Sequence, residues 1–449
     1  MACGYAGRIL NIDLTRKQVV KQELPSDLMR NYLGGRGLNA RILWDELPSR
    51  IDPFSPKNVL AISAGPLCGT AAPSCAKLTI TSKSPLTSFY FKSTVGGHFA
   101  SELKFAGYDS LVIRGASESP VYLDVTDDSV NIRDAGQLWG TDVRETNRLL
   151  KEEGADSSVL CIGPAGENAV LFASITSNVY RNAARGGLGA VMGSKKLKAI
   201  RVRGSGSVKV ANAEEFMEAA LTARKSLRED DFSWRRKYLF GTARGVVLAN
   251  TAGFNPTRNF QTSYIDGAHQ TGGERIREKY LVRETGCSSC VMSCGRYYEI
   301  ADGPFAGAFS EGAEWGSIAA LGPRIGSANP ELVLKLNELC NIYGMDAESF
   351  GGVVGFTMEL CEKSIVSKED CDGLTLRWGD AETVLALARK IAYREGFGDL
   401  LADGTRVMAK KIGRNAERYA MQVKGLELTS VDLRVAKAYA LAFAVNPRG

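Results

Sequence analysis

Apolar and β-branched residues come in short runs through the first 205 positions, each bounded by Gly, Pro, Asp or Ser. Runs at 59–62, 77–81, 111–113, 121–125, 159–162, 170–175 and 199–202 predict strands. Helical spacing is sparse there, at 27–33, 98–105 and 142–153. No long strand–helix–strand spacing recurs, which argues for an α+β or mostly antiparallel domain and against a doubly wound one. After Gly204-Ser205-Gly206-Ser207 the period changes to helical. Helices are predicted at 214–227, 330–343, 350–363, 381–395 and 400–411. In the second of these, Asn329 can cap the start, Pro330 occupies the first turn and Gly344 ends it. The pattern gives an α+β chain: a strand-rich domain over 1–205, a mostly helical one over 206–425, and the start of a third over 426–449. The small apolar segment 436–445 is followed by Asn446-Pro447-Arg448-Gly449, which reads as a loop inside a domain and predicts a truncated chain.

Composition narrows the classes. The chain has 449 residues, enough for two or three domains, with 44% hydrophobic and 24% charged residues. A net charge of +6, evenly scattered, gives no case for nucleic acid. No run of about 18 apolar residues occurs, so no membrane span is predicted. The opening residues have neither a basic region before an apolar core nor a twin arginine, which points to the cytoplasm. With only His98 and His269 available, histidine-based metal sites and triads are excluded.

The chemistry must then rest on other groups, and the ten cysteines supply them. Seven (Cys3, Cys68, Cys75, Cys161, Cys340, Cys361 and Cys371) are scattered singly and read as small buried hydrophobes. The other three, Cys287, Cys290 and Cys294, follow C-x2-C-x3-C between Gly286 and Gly295. A loop of that spacing can aim three thiolates at one point, as an iron–sulfur cluster requires. A zinc site would need a fourth ligand, for which Cys340 or His269 are the candidates, and plain loop cysteines are the remaining alternative. Radical enzymes use the reverse spacing near their start.

Two glycine-rich stretches, 93–99 and 181–193, offer backbone N–H groups to an anion, and the second adds Arg181 and Arg185. A turn with surface arginines is the plainer reading. The dinucleotide fingerprint fails for want of a strand–helix–strand unit, and the phosphate loop ending in Lys-Ser/Thr fails on glycine spacing.

Longer motifs carry a resemblance. Gly4-Tyr5-Ala6-Gly7-Arg8, Gly34-Gly35-Arg36-Gly37-Leu38, Glu102-Leu103-Lys104-Phe105-Ala106-Gly107-Tyr108-Asp109, Ile162-Gly163-Pro164-Ala165-Gly166-Glu167-Asn168 and Asn259-Phe260-Gln261-Thr262 occur in order along the chain. In these the sequence resembles the tungsten-dependent aldehyde ferredoxin oxidoreductases, whose C-terminal domain is expected to be missing here. The resemblance implies tungsten, less often molybdenum, held by two pterin (molybdopterin) cofactors whose phosphates Mg2+ can bridge. It also implies one [4Fe–4S] cluster on Cys287, Cys290 and Cys294, with a fourth cysteine in the absent domain. Pterin contacts fall on Lys77, Thr94, Gly96, Arg181, Asn182, Ala184 and Arg185. The second pterin motif falls on Asn341, Met345 and Asp346, with Asn and Met where the family has Asp and Leu. Lys77 replaces an arginine and loses its bidentate fork.

The family's catalytic glutamate and histidine align with Gly316 and Tyr439, and its bridging-iron ligands with Lys335 and Glu338, so no such iron is expected. Tyr439, Glu314 and His269 are the candidate proton donors. The implied reaction oxidises an aldehyde to a carboxylic acid, with electrons passing to ferredoxin or a small iron–sulfur subunit. The alternatives are the tungsten subunit of a benzoyl-CoA-reductase-like complex acting on an aromatic acyl-CoA, and a non-catalytic fragment. A homodimer is compatible with the family.

Overall fold

The structure is a computed structural model. It describes residues 2–449, and of 231–233 the backbone alone. The chain divides into two compact units. One comprises Met1–Ala169, Ala173–Arg235 and Gly286–Ser293, and the other Val170–Phe172, Arg236–Thr285 and Cys294–Gly449.

The first unit holds two six-stranded sheets. In the first, β1 (Arg8–Asp13), β2 (Gln18–Glu23), β3 (Leu60–Ala64), β4 (Leu78–Lys83), β5 (Tyr90–Val95) and β6 (Ser110–Arg114) run in the order β2-β1-β6-β3-β4-β5. Only β1 and β6 are parallel. In the second, β7 (Val121–Val125), β8 (Val130–Asp134), β9 (Ser158–Cys161), β10 (Ile175–Ser177), β11 (Arg181–Ala183) and β12 (Leu197–Val202) run in the order β11-β10-β9-β12-β7-β8, with β7 and β12 parallel. The predicted α+β class holds: both sheets are mostly antiparallel, and helices dominate after residue 212.

Each sheet buries one face against a helix. Leu38, Ile42 and Leu43 of the helix Gly35–Glu46 pack on Ile9, Val59, Ala61 and Val112. Val143 and Leu150 of the helix Val143–Glu152 pack on Tyr122, Val159, Cys161 and Ala199. Each fully buried aliphatic side chain contributes about 1.5–3 kcal/mol. Asp142 caps the second helix by accepting from the Glu145 N–H at 2.8 Å. The helix Gly35–Glu46 has no capping side chain and begins among glycines, which hid it from the sequence pattern.

Buried cations cross-brace this unit. The Lys104 ammonium pairs with Asp109, and Lys198 pairs with Glu167, all nearly without exposure. Among the described residues Lys195 pairs with no carboxylate; its ammonium donates to the carbonyls of Pro56 (3.3 Å), Asn58 (2.5 Å) and Gly115 (3.0 Å). Burial pushes its pKa down to about 8 from 10.5. Between those values the unfolded chain binds more protons than the folded one, so stability rises with pH across that window, by up to about 1.4 kcal/mol per pH unit. Below pH 8 the cost of burying the charge is fully present. Lys195→Met is expected to abolish this rise, so urea midpoints measured from pH 7 to 10.5 should converge on a flat line for the variant. A slope unchanged by the substitution would show that Lys195 titrates normally in the fold.

The second unit is mostly helical. The helix Pro330–Tyr343 has the bounds expected from its sequence, with Asn329 capping the Glu331 and Leu332 N–H groups and Gly344 left-handed at φ 74°. The helix Ala347–Glu362 is buried along nearly its whole length. A Cβ on Gly351 would stand 2.2 Å from the Ala320 carbonyl oxygen, so the glycine lets the helix Trp315–Leu321 approach closely. The expected helix at 400–411 is two: Phe397–Leu401 and Gly404–Ile412, broken where Gly404 takes φ +76°. The expected strand at 170–175 meets the observed β10 only at Ile175, and residues 170–172 belong to the second unit. A three-stranded antiparallel sheet, β13 (Leu281–Thr285), β14 (Gly295–Glu299) and β15 (Phe309–Glu311), flanks the cysteine loop in sequence. No helix of the described residues is long and apolar enough to cross a membrane.

Candidate cofactor site

The loop Gly286–Ser293 is seated on the first unit by backbone and side-chain bonds. The Ser288 N–H donates to the Gly97 carbonyl at 3.1 Å, and the Ser74 N–H to the Ser289 carbonyl at 3.2 Å. The Ser289 hydroxyl donates to the Thr70 carbonyl at 2.9 Å. Arg224 donates to the carbonyls of Ala71 (3.0 Å) and Ser289 (3.4 Å).

Two thiols receive further support. Arg181 Nη1 donates to Cys287 Sγ at 2.9 Å. A Cβ on Gly96 would lie 2.7 Å from that sulfur, so only glycine lets it approach the backbone here. The Ser74 hydroxyl lies 3.4 Å from Cys290 Sγ. Burial alone would raise the Cys290 pKa. Bonds from Ser74 and from the Met292 and Ser293 N–H groups, with the Arg181 charge, outweigh it and hold the thiol below its ordinary range. This donor set suits sulfur that carries negative charge, as cluster ligands do. Among the described residues no group of three His, Cys, Asp or Glu side chains is already gathered for a metal ion. Cys294, next in the chain, belongs to the second unit.

The expected pterin-side residues of the first unit fall on neighbouring strands. Thr94 lies in β5, Gly96 follows it, and β11 carries Arg181 and Asn182 against β5. Ala184 and Arg185 come next and are half-buried. The Asn182 carbonyl oxygen accepts from the Thr176 hydroxyl at 2.6 Å, which fixes its amide. Lys77 is exposed, just before β4. Burial first, then Arg181 and Lys151, hold His98 below its ordinary pKa.

In the second unit, Asn341 donates to the Ser310 hydroxyl at 2.9 Å and Met345 is buried. Asp346 caps the helix Ala347–Glu362, accepting from the Glu348 N–H (3.1 Å) and the Ser349 hydroxyl (2.7 Å). The three candidate proton donors make no hydrogen bond or ion pair with one another among the described residues. Glu314 accepts from the Thr242 hydroxyl. His269 is exposed beside Gln270, and Tyr439 is exposed with its ring edge on Phe443.

No local pattern in the sequence singles out Ser74 or Arg224 as a support of the cysteine loop. Ser74 precedes Cys290 by more than two hundred positions, so only the fold joins them. Arg296, 3% exposed, has Nη1 and Nη2 without a hydrogen-bond partner among the described residues. Burial lowers its pKa, against the opposing charges of Glu314 and Cys294.

Two family models account for nearly all of this chain. The N-terminal domain of aldehyde ferredoxin oxidoreductase matches residues 9–204, and domains 2 and 3 of the same enzyme match residues 218–449. The chain belongs to the aldehyde ferredoxin oxidoreductase family. As a member it is an oxidoreductase. The second match runs to residue 449, and the chain spans about three quarters of the length of the curated relatives it matches.

The tungsten-containing aldehyde ferredoxin oxidoreductase of Pyrococcus horikoshii is 41% identical over 99% of this chain and 73% of its own length. The aliphatic sulfonate oxidoreductase WOR-like subunit of Pyrococcus furiosus is 33% identical over 99% of this chain and 74% of its own. Among solved structures, the active-site complex BamBC of benzoyl coenzyme A reductase with 1,5-dienoyl-CoA superimposes with a TM-score of 0.85. It is 33% identical and covers 96% of this chain and 67% of the other.

Proposed function

We propose that this family member oxidises aldehydes to carboxylic acids with water as the oxygen source, passing two electrons to ferredoxin or a small iron–sulfur subunit. The single observation that carries the reading is the cysteine loop, whose thiols are met by Arg181, Ser74 and backbone N–H groups. In a relative of a tungsten-containing enzyme, that loop would hold a [4Fe–4S] cluster through Cys287, Cys290 and Cys294. Lys77, Thr94, Gly96, Arg181, Asn182, Ala184 and Arg185 of the first unit would hold one pterin. Asn341, Met345 and Asp346 of the second would hold the other, and tungsten or molybdenum, with Mg2+, would be the metals that accompany them. The bound metal supplies the two-electron redox chemistry.

The chain's own groups orient and neutralise. Arg181 donates to Cys287 Sγ and sets a fixed positive charge against it. Glu314, Tyr439 and His269 are the proton-carrying side chains of the second unit, and Thr242 fixes the Glu314 carboxylate.

The likeness to the benzoyl coenzyme A reductase complex favours a second reading, reduction of an aromatic acyl-CoA with partner subunits. Metal analysis and dye-linked assays separate the readings. Protein from a tungsten-competent host is expected to contain tungsten or molybdenum and to reduce viologen with short or aromatic aldehydes. A full metal complement with no aldehyde turnover would favour the second reading. Absence of both metals would end both.

A further inference from the structure

Two cysteines outside the cofactor loop face each other. Cys361 lies in the last turn of the helix Ala347–Glu362, and Cys371 ends the short turn Glu369–Cys371. Their Sγ atoms are 3.9 Å apart. The other close pair behaves differently, since Cys68 and Cys75 point their thiols at backbone carbonyls.

The segment that carries Cys371 is held in place from several sides. The Cys371 N–H and the Gly373 N–H both donate to the Lys368 carbonyl, at 3.1 and 2.9 Å. Asp372 accepts from the Lys390 ammonium at 2.8 Å and the Phe397 N–H at 2.7 Å. Arg414 donates to the Ile365 carbonyl at 2.8 Å and to Asp370 at 3.0 Å. Bonded sulfurs stand about 2.0 Å apart, so the two must close by roughly 2 Å, within reach of side-chain torsions.

We propose that Cys361 and Cys371 form a reversible disulfide that ties the helix end to the segment 364–373. Cys361 is half-buried and Cys371 fully buried, which makes Cys361 the thiol an oxidant meets first. A hydrogen bond from Cys371 holds Cys361 below its ordinary thiol pKa, and the same pairing pushes Cys371 up. The oxidant is a low-molecular-weight disulfide. The Cys361 thiolate attacks one of its sulfurs, forming a mixed disulfide and releasing one thiol. Cys371 then attacks Cys361 Sγ and releases the second. The protein loses two electrons and two protons, and the oxidant becomes two thiols.

The test uses the holoprotein, incubated with oxidised glutathione, denatured in iodoacetamide and digested with trypsin without reduction. Cleavage after Lys363 and Lys368 separates the two cysteines. Peptide 336–363 is expected joined to 369–377, and dithiothreitol should part them. Because 336–363 also contains Cys340, Cys361→Ser should abolish the join and Cys340→Ser should keep it. Native cleavage after Lys363 and Lys368 should slow severalfold in the oxidised protein. Recovery of Cys371 alkylated, a stable glutathione adduct on Cys361 as the end point, or a join that survives Cys361→Ser would overturn the proposal.

Discussion

Cys290→Ala protein is expected to lose its iron and, with it, its viologen-linked activity. The Cys290 thiol is half-buried, and burial alone favours the neutral, non-ligating form. Ser74 and the Met292 and Ser293 N–H groups reverse that preference, which is sensible only where negative sulfur is needed. Alanine removes the ligand and leaves these donors aimed at nothing. Iron and acid-labile sulfide should fall from about four per chain toward zero, with loss of the broad visible absorption of the cluster. Cys340→Ala is the control. Its thiol is buried in the helix Pro330–Tyr343 with a raised pKa, so it should lower stability and leave the iron intact. Undiminished iron and sulfide in Cys290→Ala would sink the assignment, and zinc in place of iron in the parent protein would restore the alternative weighed from spacing alone.

The loop's composition was legible because three cysteines lie within eight residues. What supports it was not, because the supports come from distant segments. Arg181 reaches Cys287 from 106 positions away, and Ser74 reaches Cys290 from 216. No local pattern encodes such a pairing. The same limit governed the elements. The helix Pro330–Tyr343 carries its start and stop in its own residues and matched its expected bounds. The strand 121–125 did so as well. The helix Gly35–Glu46 lacks a capping side chain and begins among glycines, so no local start signal marks it. The Cys361–Cys371 pair shows the converse. Each residue read singly is a small hydrophobe, and only the turn at Lys368 brings the sulfurs together.

Several motifs that carried the family resemblance turn out to be scaffold. Asp109, in the 102–109 motif, accepts from the N–H groups of Ala6 (3.2 Å) and Gly7 (2.7 Å) in the opening motif. Lys104 pairs with Asp109 and donates to the Gly4 carbonyl at 2.8 Å. One buried ion pair thus ties the start of the chain to β6 and to the helix Phe99–Phe105. Glu167 does the same elsewhere, accepting from Lys198 and from the Gly140 N–H at 2.8 Å. These residues hold the sheets in place through bonds to distant segments of the first unit.

Asp109→Ala should therefore be among the most destabilising substitutions in the first unit. It leaves the Lys104 ammonium buried with a single carbonyl acceptor and strands two backbone N–H groups. Breaking a buried pair from one side costs about 3–5 kcal/mol, because an uncompensated charge remains. Lys104→Met in the same chain removes that charge, so the double variant should recover much of the loss. Urea unfolding of the parent, both single variants and the double variant measures the coupling directly. A double variant no more stable than Asp109→Ala would mean that the two N–H bonds to Ala6 and Gly7, and not the ion pair, carry the stabilisation. The surface pair Arg148–Glu145 offers the contrast: it is solvent-exposed on both sides, and Glu145→Ala should leave the urea midpoint nearly unchanged.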